Sequence, residues 1–237
     1  MYTFDSRIRY SEVDSDGKLS TAALINYFQD CSTFQSEDLG AGVAALKERN
    51  LVWVLCFWQI VVDRYPALCE RVTIGTQPYE MKAFMGLRNF MMTDEQGNYC
   101  ARANSVWSLL DTRTGRPVPV PPDMHEIFKL FPKLEMEYAP RKIALPGEGV
   151  KKDPITVKEH HLDTNHHVNN QQWVVMAMRS LPEGFPVGEV RAEYRRQVYL
   201  GDVLVPVVYE PGDGRMIVSM TDEAGSPCMI AEFIPRA

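Results

Sequence analysis

The chain has no polybasic run. Its 25 Lys and Arg stand against 31 Asp and Glu, a formal net charge of −6. Binding nucleic-acid phosphates calls for clustered Lys and Arg, so nucleic acid is excluded as an expected partner. No window approaches the roughly 18 consecutive apolar residues of a membrane span, and membrane insertion is not expected. The opening MYTFDSRIRYSEVDSDG carries a charge every few residues and has no apolar core, so it is not read as a signal peptide. Cysteine is scarce and scattered: Cys31, Cys56, Cys69, Cys100 and Cys228 form no CxxC pair. Such spacing suggests neither a zinc site nor a disulfide framework, and it fits a reducing cytoplasm.

What is present is the composition of a packed globular protein, 45% hydrophobic and 24% charged. At 237 residues the chain suits two modules of ordinary size. A faint repeat supports two. VDSDGKLS (13–20) aligns without a gap with LDTNHHVN (162–169), pairing Val13 with Leu162, Asp14 with Asp163, Leu19 with Val168, and Ser20 with Asn169. Each copy follows a strand-like run, RIRYSEV or PITVKEH, and each precedes a helical pattern. Leu24, Phe28, Cys31 and Phe34 recur at helical spacing up to Gly40; Trp173, Met176 and Ala177 share a face up to Pro182.

Strand patterns follow both helices. In the first half they cover 51–62, 70–80, 84–94 and 98–111, and in the second 187–199, 202–210, 215–222 and 227–235. Between the halves, RPVPVPPDM and YAPRKIALPGEGVKKD are rich in proline and charge, with a short helix expected near His125–Phe131. The expected organisation is α+β: a module over 1–135, a linker over 136–153 and a second module over 154–237. In each module an antiparallel sheet wraps around a helix.

Four of the five histidines crowd into HHLDTNHHVNN (160–170). A metal site is not expected, since no HExxH or Cys/His spacing supports one and His160 and His161 would face opposite sides of a strand. A surface turn with a helix cap is the plainer reading of Asp and Asn here, and the first copy, with Asp14 and Asp16 but no His or Asn, reads as that alone.

LDTNHHVNN resembles the D-x-N-x-H-V-N-N signature of the acyl-acyl-carrier-protein thioesterases, plant-type fatty acyl thioesterases that also occur in bacteria. VVDRYPALCERVTIGT, GLRNFMMTDEQGNYCARANSVWSLLDTRTGRPVPVPPDM and AEYRRQV are similar to further blocks of that family in the same order, so the resemblance covers most of the chain. It implies a tandem (double) hot-dog fold and hydrolysis of fatty acyl-acyl carrier protein to free fatty acid and holo-carrier, with no cofactor. The plant members' transit peptide is absent, which fits a cytoplasmic bacterial enzyme. Carried over by position, the family's catalytic residues fall on Asp163, Asn165 and His167. Its further Glu falls on Gln197 and the Cys after it on Val198, so a Cys-acyl intermediate there is impossible and one carboxylate is missing.

Thioester hydrolysis needs a water deprotonated or oriented and a donor for the oxyanion. The Asp163/His167 pair suits the base, Asn165 and Gln197 suit positioning, and N–H groups of the helix capped by Asn169 are further donors. The resemblance also makes the first half the acyl-pocket side, with Met81, Phe84 and Met85 as lining residues. Acyl carrier protein is acidic, so Arg141, Lys142, Lys151 and Lys152 are the expected docking cations. An acyl-CoA thioesterase and a non-catalytic acyl-binding hot-dog (a lipid sensor) are the alternatives, Gln197 favouring the second. Acyl chain length, and whether two chains pair as a homodimer, are left open by the sequence.

Overall fold

The computed structural model describes residues 1–236. The chain divides into two compact units: Met1–Cys56 with Val62–Tyr138, and Phe57–Val61 with the chain from Ala139 onward.

The first unit contains β1 (Tyr2–Arg7), α1 (Thr21–Asp38), α2 (Val43–Glu48), the start of β2 (Leu51–Val62), β3 (Arg71–Lys82), β4 (Met85–Asp94), β5 (Tyr99–Asp111), β6 (Arg116–Pro117) and α3 (Pro122–Ile127). Strands β1, β3, β4 and β5 pair antiparallel in that order, with β6 also on β5. Helix α1 starts where Ser20 Oγ accepts the Ala23 N–H at 3.2 Å, and it gives way at Leu39 to Gly40, whose φ of +69° suits glycine. Ala23, Leu24, Ile25, Tyr27, Phe28 and Cys31 are buried, so the helix is apolar over much more than one stripe. Phe28 meets Phe90 of β4 at 5.4 Å between ring centroids. Each such buried aromatic or Leu stabilises the fold by about 1.5–3 kcal/mol relative to exposure.

The second unit takes Phe57–Val61 of β2, then β7 (Val150–Lys151), β8 (Ile155–Thr156), α4 (Asn170–Met178), β9 (Val187–Tyr194), β10 (Val203–Tyr209), β11 (Met216–Thr221) and β12 (Pro227–Pro235). Phe57–Val61 pairs with β9, which continues to β12, β11, β10 and β7, all antiparallel. Helix α4 has nine residues against eighteen in α1. Pro182 lies shortly beyond its end, and proline both lacks the N–H and disfavours helical geometry in the residue before it. Trp173, Val174, Met176 and Ala177 are its buried face. Each unit is thus α+β, a helix laid on an antiparallel sheet in the hot-dog manner.

Two details differ from the strand-like runs expected before each helix. β1 ends at Arg7 and β8 at Thr156, and Tyr10–Glu12 and Glu159–His161 form single 3-10 turns instead. A side chain closes each turn: the Arg9 N–H donates to Glu12 Oε2 at 2.8 Å and the Lys158 N–H to His161 Nδ1 at 3.1 Å. The 136–153 segment is pinned rather than loose. Pro140 O accepts from Arg191 Nη2 at 2.6 Å, Ile143 N–H donates to Glu193 Oε2 at 3.0 Å, and β7 joins the sheet edge. Arg191 and Arg215 share the buried Glu232, so Pro140 rests on a guanidinium that is itself held by a carboxylate.

Candidate active site

The histidine-rich stretch is a tight turn leading into α4. Asp163 N–H donates to the His167 carbonyl at 2.8 Å, and His166 N–H to the Asp163 carbonyl at 3.0 Å. Asp163 Oδ1 accepts from the backbone N–H of Asn165 at 2.8 Å and of His167 at 3.4 Å. Asn169 N–H donates to the His161 carbonyl at 2.8 Å, and its side-chain oxygen caps the helix by accepting Gln171 N–H at 2.9 Å.

The first unit builds the same turn bond for bond. Asp14 N–H meets the Lys18 carbonyl at 2.8 Å, Gly17 N–H the Asp14 carbonyl at 3.1 Å, and Asp14 Oδ1 accepts from Asp16 and Lys18 at 3.0 Å each. Gly17 sits at φ +69° and its counterpart His166 at φ +61°, so a histidine occupies a left-handed position that suits glycine. The shared bonds show what the Asp is for locally. It ties the turn, and among the described residues no hydrogen bond joins its carboxylate to the His167 imidazole.

A second segment lies against each turn. Val168 N–H donates to the Val198 carbonyl at 3.1 Å, as Leu19 N–H does to Pro66 at 2.8 Å. Arg195 and Arg196 donate to the Cys228 carbonyl as Asp63 and Arg64 do to Cys100. DRYPAL (63–68) therefore corresponds to RRQVYL (195–200), with Gln197 in the place of Tyr65 and Tyr199 in that of Ala67. The His167 and Tyr199 rings meet edge to face with centroids 5.0 Å apart, and the Tyr199 hydroxyl lies 3.5 Å from Gln197 Oε1. His167 is half-buried, Asp163 likewise, and Asn165 and Gln197 are exposed. Burial lowers the His167 pKa below the usual 6.5, Asp163 opposes this and His166 adds to it. A neutral imidazole able to take a proton at pH 7 follows.

His160 and His161 lie on the 3-10 turn and not on a strand, so they do not face opposite sides: their rings touch at 4.1 Å. His161 is 3% exposed, and burial first, then His160, Arg179 and Lys158, lowers its pKa. It supports the turn through its carbonyl and Nδ1. Among the described residues no three His, Cys, Asp or Glu side chains gather as metal ligands would.

In the first unit, Met81 is half-buried and packs against the buried cluster of Ala41, Leu46, Leu109, Val120, Met124 and Phe128, while Phe84 is exposed in the β3–β4 turn and Met85 half-buried beside it. Arg88 of β4 was not singled out by its sequence context. It is 9% exposed, donates through Nη1 to Gln35 Oε1 at 2.6 Å and Thr76 Oγ1 at 3.4 Å, and lies 5.6 Å from the Phe128 ring centre. No carboxylate pairs with it among the described residues, and burial lowers its pKa to about 10. Arg141, Lys142, Lys151 and Lys152 are all exposed, Lys151 on the edge strand β7.

The family model of the acyl-ACP thioesterase N-terminal domain matches residues 1–128, more than half of the chain, though not the turn at 160–170. A chloroplastic palmitoyl-acyl carrier protein thioesterase of Gossypium hirsutum is 30% identical over 83% of this chain and 52% of its own length. An acyl-[acyl-carrier-protein] hydrolase of Cuphea viscosissima is 28% identical over 84% and 52%. The chain thus spans about half the length of these curated relatives. The crystal structure of an acyl-ACP thioesterase from Bacteroides thetaiotaomicron shares the fold, with a TM-score of 0.87, 23% identity and coverage of 98% of this chain and 96% of that one. By its sequence this chain belongs to the acyl-ACP thioesterase family.

Proposed function

We propose that this protein hydrolyses fatty acyl-acyl carrier protein to free fatty acid and holo-carrier in a bacterial cytoplasm, as a step of fatty acid biosynthesis. The observation that carries the reading is the contrast between two turns of one geometry. Where the first has Asp16, Lys18 and Tyr65, the second has Asn165, His167 and Gln197, a base and two amides in place of two charges and a phenol.

In this reading His167 takes a proton from water as the oxygen bonds to the thioester carbon. The oxyanion is met by an amide N–H of Asn165 or Gln197, or by N–H groups at the start of α4. As the C–S bond breaks, the imidazolium returns its proton to the leaving thiolate. Asp163 works on this step through its charge and through the turn it ties, favouring the imidazolium without bonding to it. Met81, Phe84 and Met85 are the residues read as lining the acyl chain, and the acidic carrier is met by Arg141, Lys142, Lys151 and Lys152.

Turnover of acyl-carrier substrates of graded length by wild type and His167→Ala tests this. Loss of a general base lowers kcat about 10²–10⁴-fold. Full turnover by a folded His167→Ala protein would refute the assignment. Reversing Lys151 and Lys152 to Glu should raise KM for the acyl-carrier substrate more than for a small thioester. The exposed Gln197 favours the second reading, a non-catalytic acyl binder. Binding of acyl chains without any turnover would select it.

A further inference from the structure

We propose that Tyr199 is a positioning residue: its ring holds the His167 imidazole, and its hydroxyl aims the Gln197 amide. The proposal rests on the reading of His167 as the base. Tyr199 stands 50% exposed, yet its backbone is tightly held. Its N–H donates to Asp202 Oδ2 at 3.0 Å, its carbonyl accepts from Asp202 at 3.2 Å, and the adjacent Val198 is buried and bonded to the turn through Val168. Gly201 at φ +86° closes this loop by donating to Val157 at 3.0 Å. A tightly bonded loop therefore presents a large aromatic at the surface with its ring against the imidazole.

The first unit supplies an internal control. Its matching loop is bridged to the matching turn, Lys18 opposite Ala67, so the position after the equivalent of Val198 carries only a methyl group there. The ring is present where the imidazole is and absent where a lysine takes its place. An edge-to-face contact fixes one imidazole orientation against free rotation about the side-chain bonds, which is worth about 2- to 10-fold in correctly aimed base. The hydroxyl lies 3.5 Å from Gln197 Oε1, at the long limit for a hydrogen bond, and donating there leaves the amide hydrogens of Gln197 for a water or an oxyanion. The other groups acting on His167 are Asp163 and His166, both on its own turn.

The test compares Tyr199→Phe and Tyr199→Ala with wild type, by steady-state kinetics and by NMR titration of the His167 ring. Tyr199→Ala is expected to lower kcat about 10-fold with KM within about twofold, and to move the His167 titration up toward its ordinary value as water replaces the ring. Tyr199→Phe should keep the wild-type titration while losing part of kcat, and adding Gln197→Ala to it should cost less than Gln197→Ala alone. A Tyr199→Ala protein with wild-type kcat and an unmoved His167 titration would overturn the proposal. If wild type cleaves no acyl thioester, the functional reading fails, and the titration of the two variants still decides whether the ring holds the imidazole.

Discussion

Replacing Asp163 separates its two roles, because the carboxylate does structural work that an amide can copy and electrostatic work that it cannot. In Asp163→Ala the N–H groups of Asn165 and His167 lose their acceptor. A hydrogen bond to a charged acceptor contributes about 1.5–3 kcal/mol, and the longer of the two falls at or below that range. Water reaches this half-buried turn and recovers part of the loss, so about 1–3 kcal/mol is expected. For a chain of this size that is a fall of about 2–4 °C in Tm per kcal/mol. Asp14→Ala breaks the same two contacts in the first unit and should cost a similar amount, with no effect on turnover. Asp163→Asn keeps an acceptor at the Oδ1 position and should stay near the wild-type Tm. It removes the charge that raises the His167 pKa, so the acid limb of the pH–rate profile should move to lower pH. Thermal melts and pH–rate profiles of the three variants provide the check. If Asp163→Asn loses as much activity as His167→Ala at unchanged Tm, the carboxylate itself acts on the water and is more than a charge beside the base.

The pH dependence of stability should show the two depressed histidines. His161 and His167 titrate lower in the folded chain than the ordinary 6.5, so the unfolded chain binds more protons between those values. Their contribution is complete above about 6.5 and is lost as pH falls through the folded values; Tm against pH for His161→Gln should be flatter on the acid side than wild type. Gln35 and Arg88 bury a cation without an anion, and such groups are commonly no more stable than apolar ones of similar volume. The double variant Arg88→Met/Gln35→Leu should melt at or above the wild-type temperature, and a loss above about 3 kcal/mol in chemical denaturation would show that the polar pair outweighs its desolvation. Gln197→Glu restores a carboxylate near His167 and should preserve or raise kcat; abolished turnover in a folded protein would mean that the amide, with its donors, is required there.

The sequence by itself determined the local structure of this protein. β2 at Leu51–Val62 and β12 at Pro227–Pro235 coincide with the runs read from β-branched and aromatic residues, since a strand's side-chain pattern is written in consecutive positions. Ser20 and Asn169 cap their helices as read, because a cap reaches only two or three residues along the chain. The Asp-centred turns were visible in the alignment of the two copies for the same reason. Only the tertiary structure decided what meets across the chain. His167 and Tyr199 are far apart in sequence and meet where Val168 bonds to Val198, a pairing that no local pattern announces. The buried Arg88 looked like any charged residue in a strand until α1 placed Gln35 over it. The 3-10 turns hid behind strand-like runs because their closure depends on whether a side chain, Glu12 or His161, bends back to a backbone N–H. Short-range hydrogen bonds and periodicity are properties of neighbouring residues, whereas burial and ring contacts exist only once distant segments have been brought together.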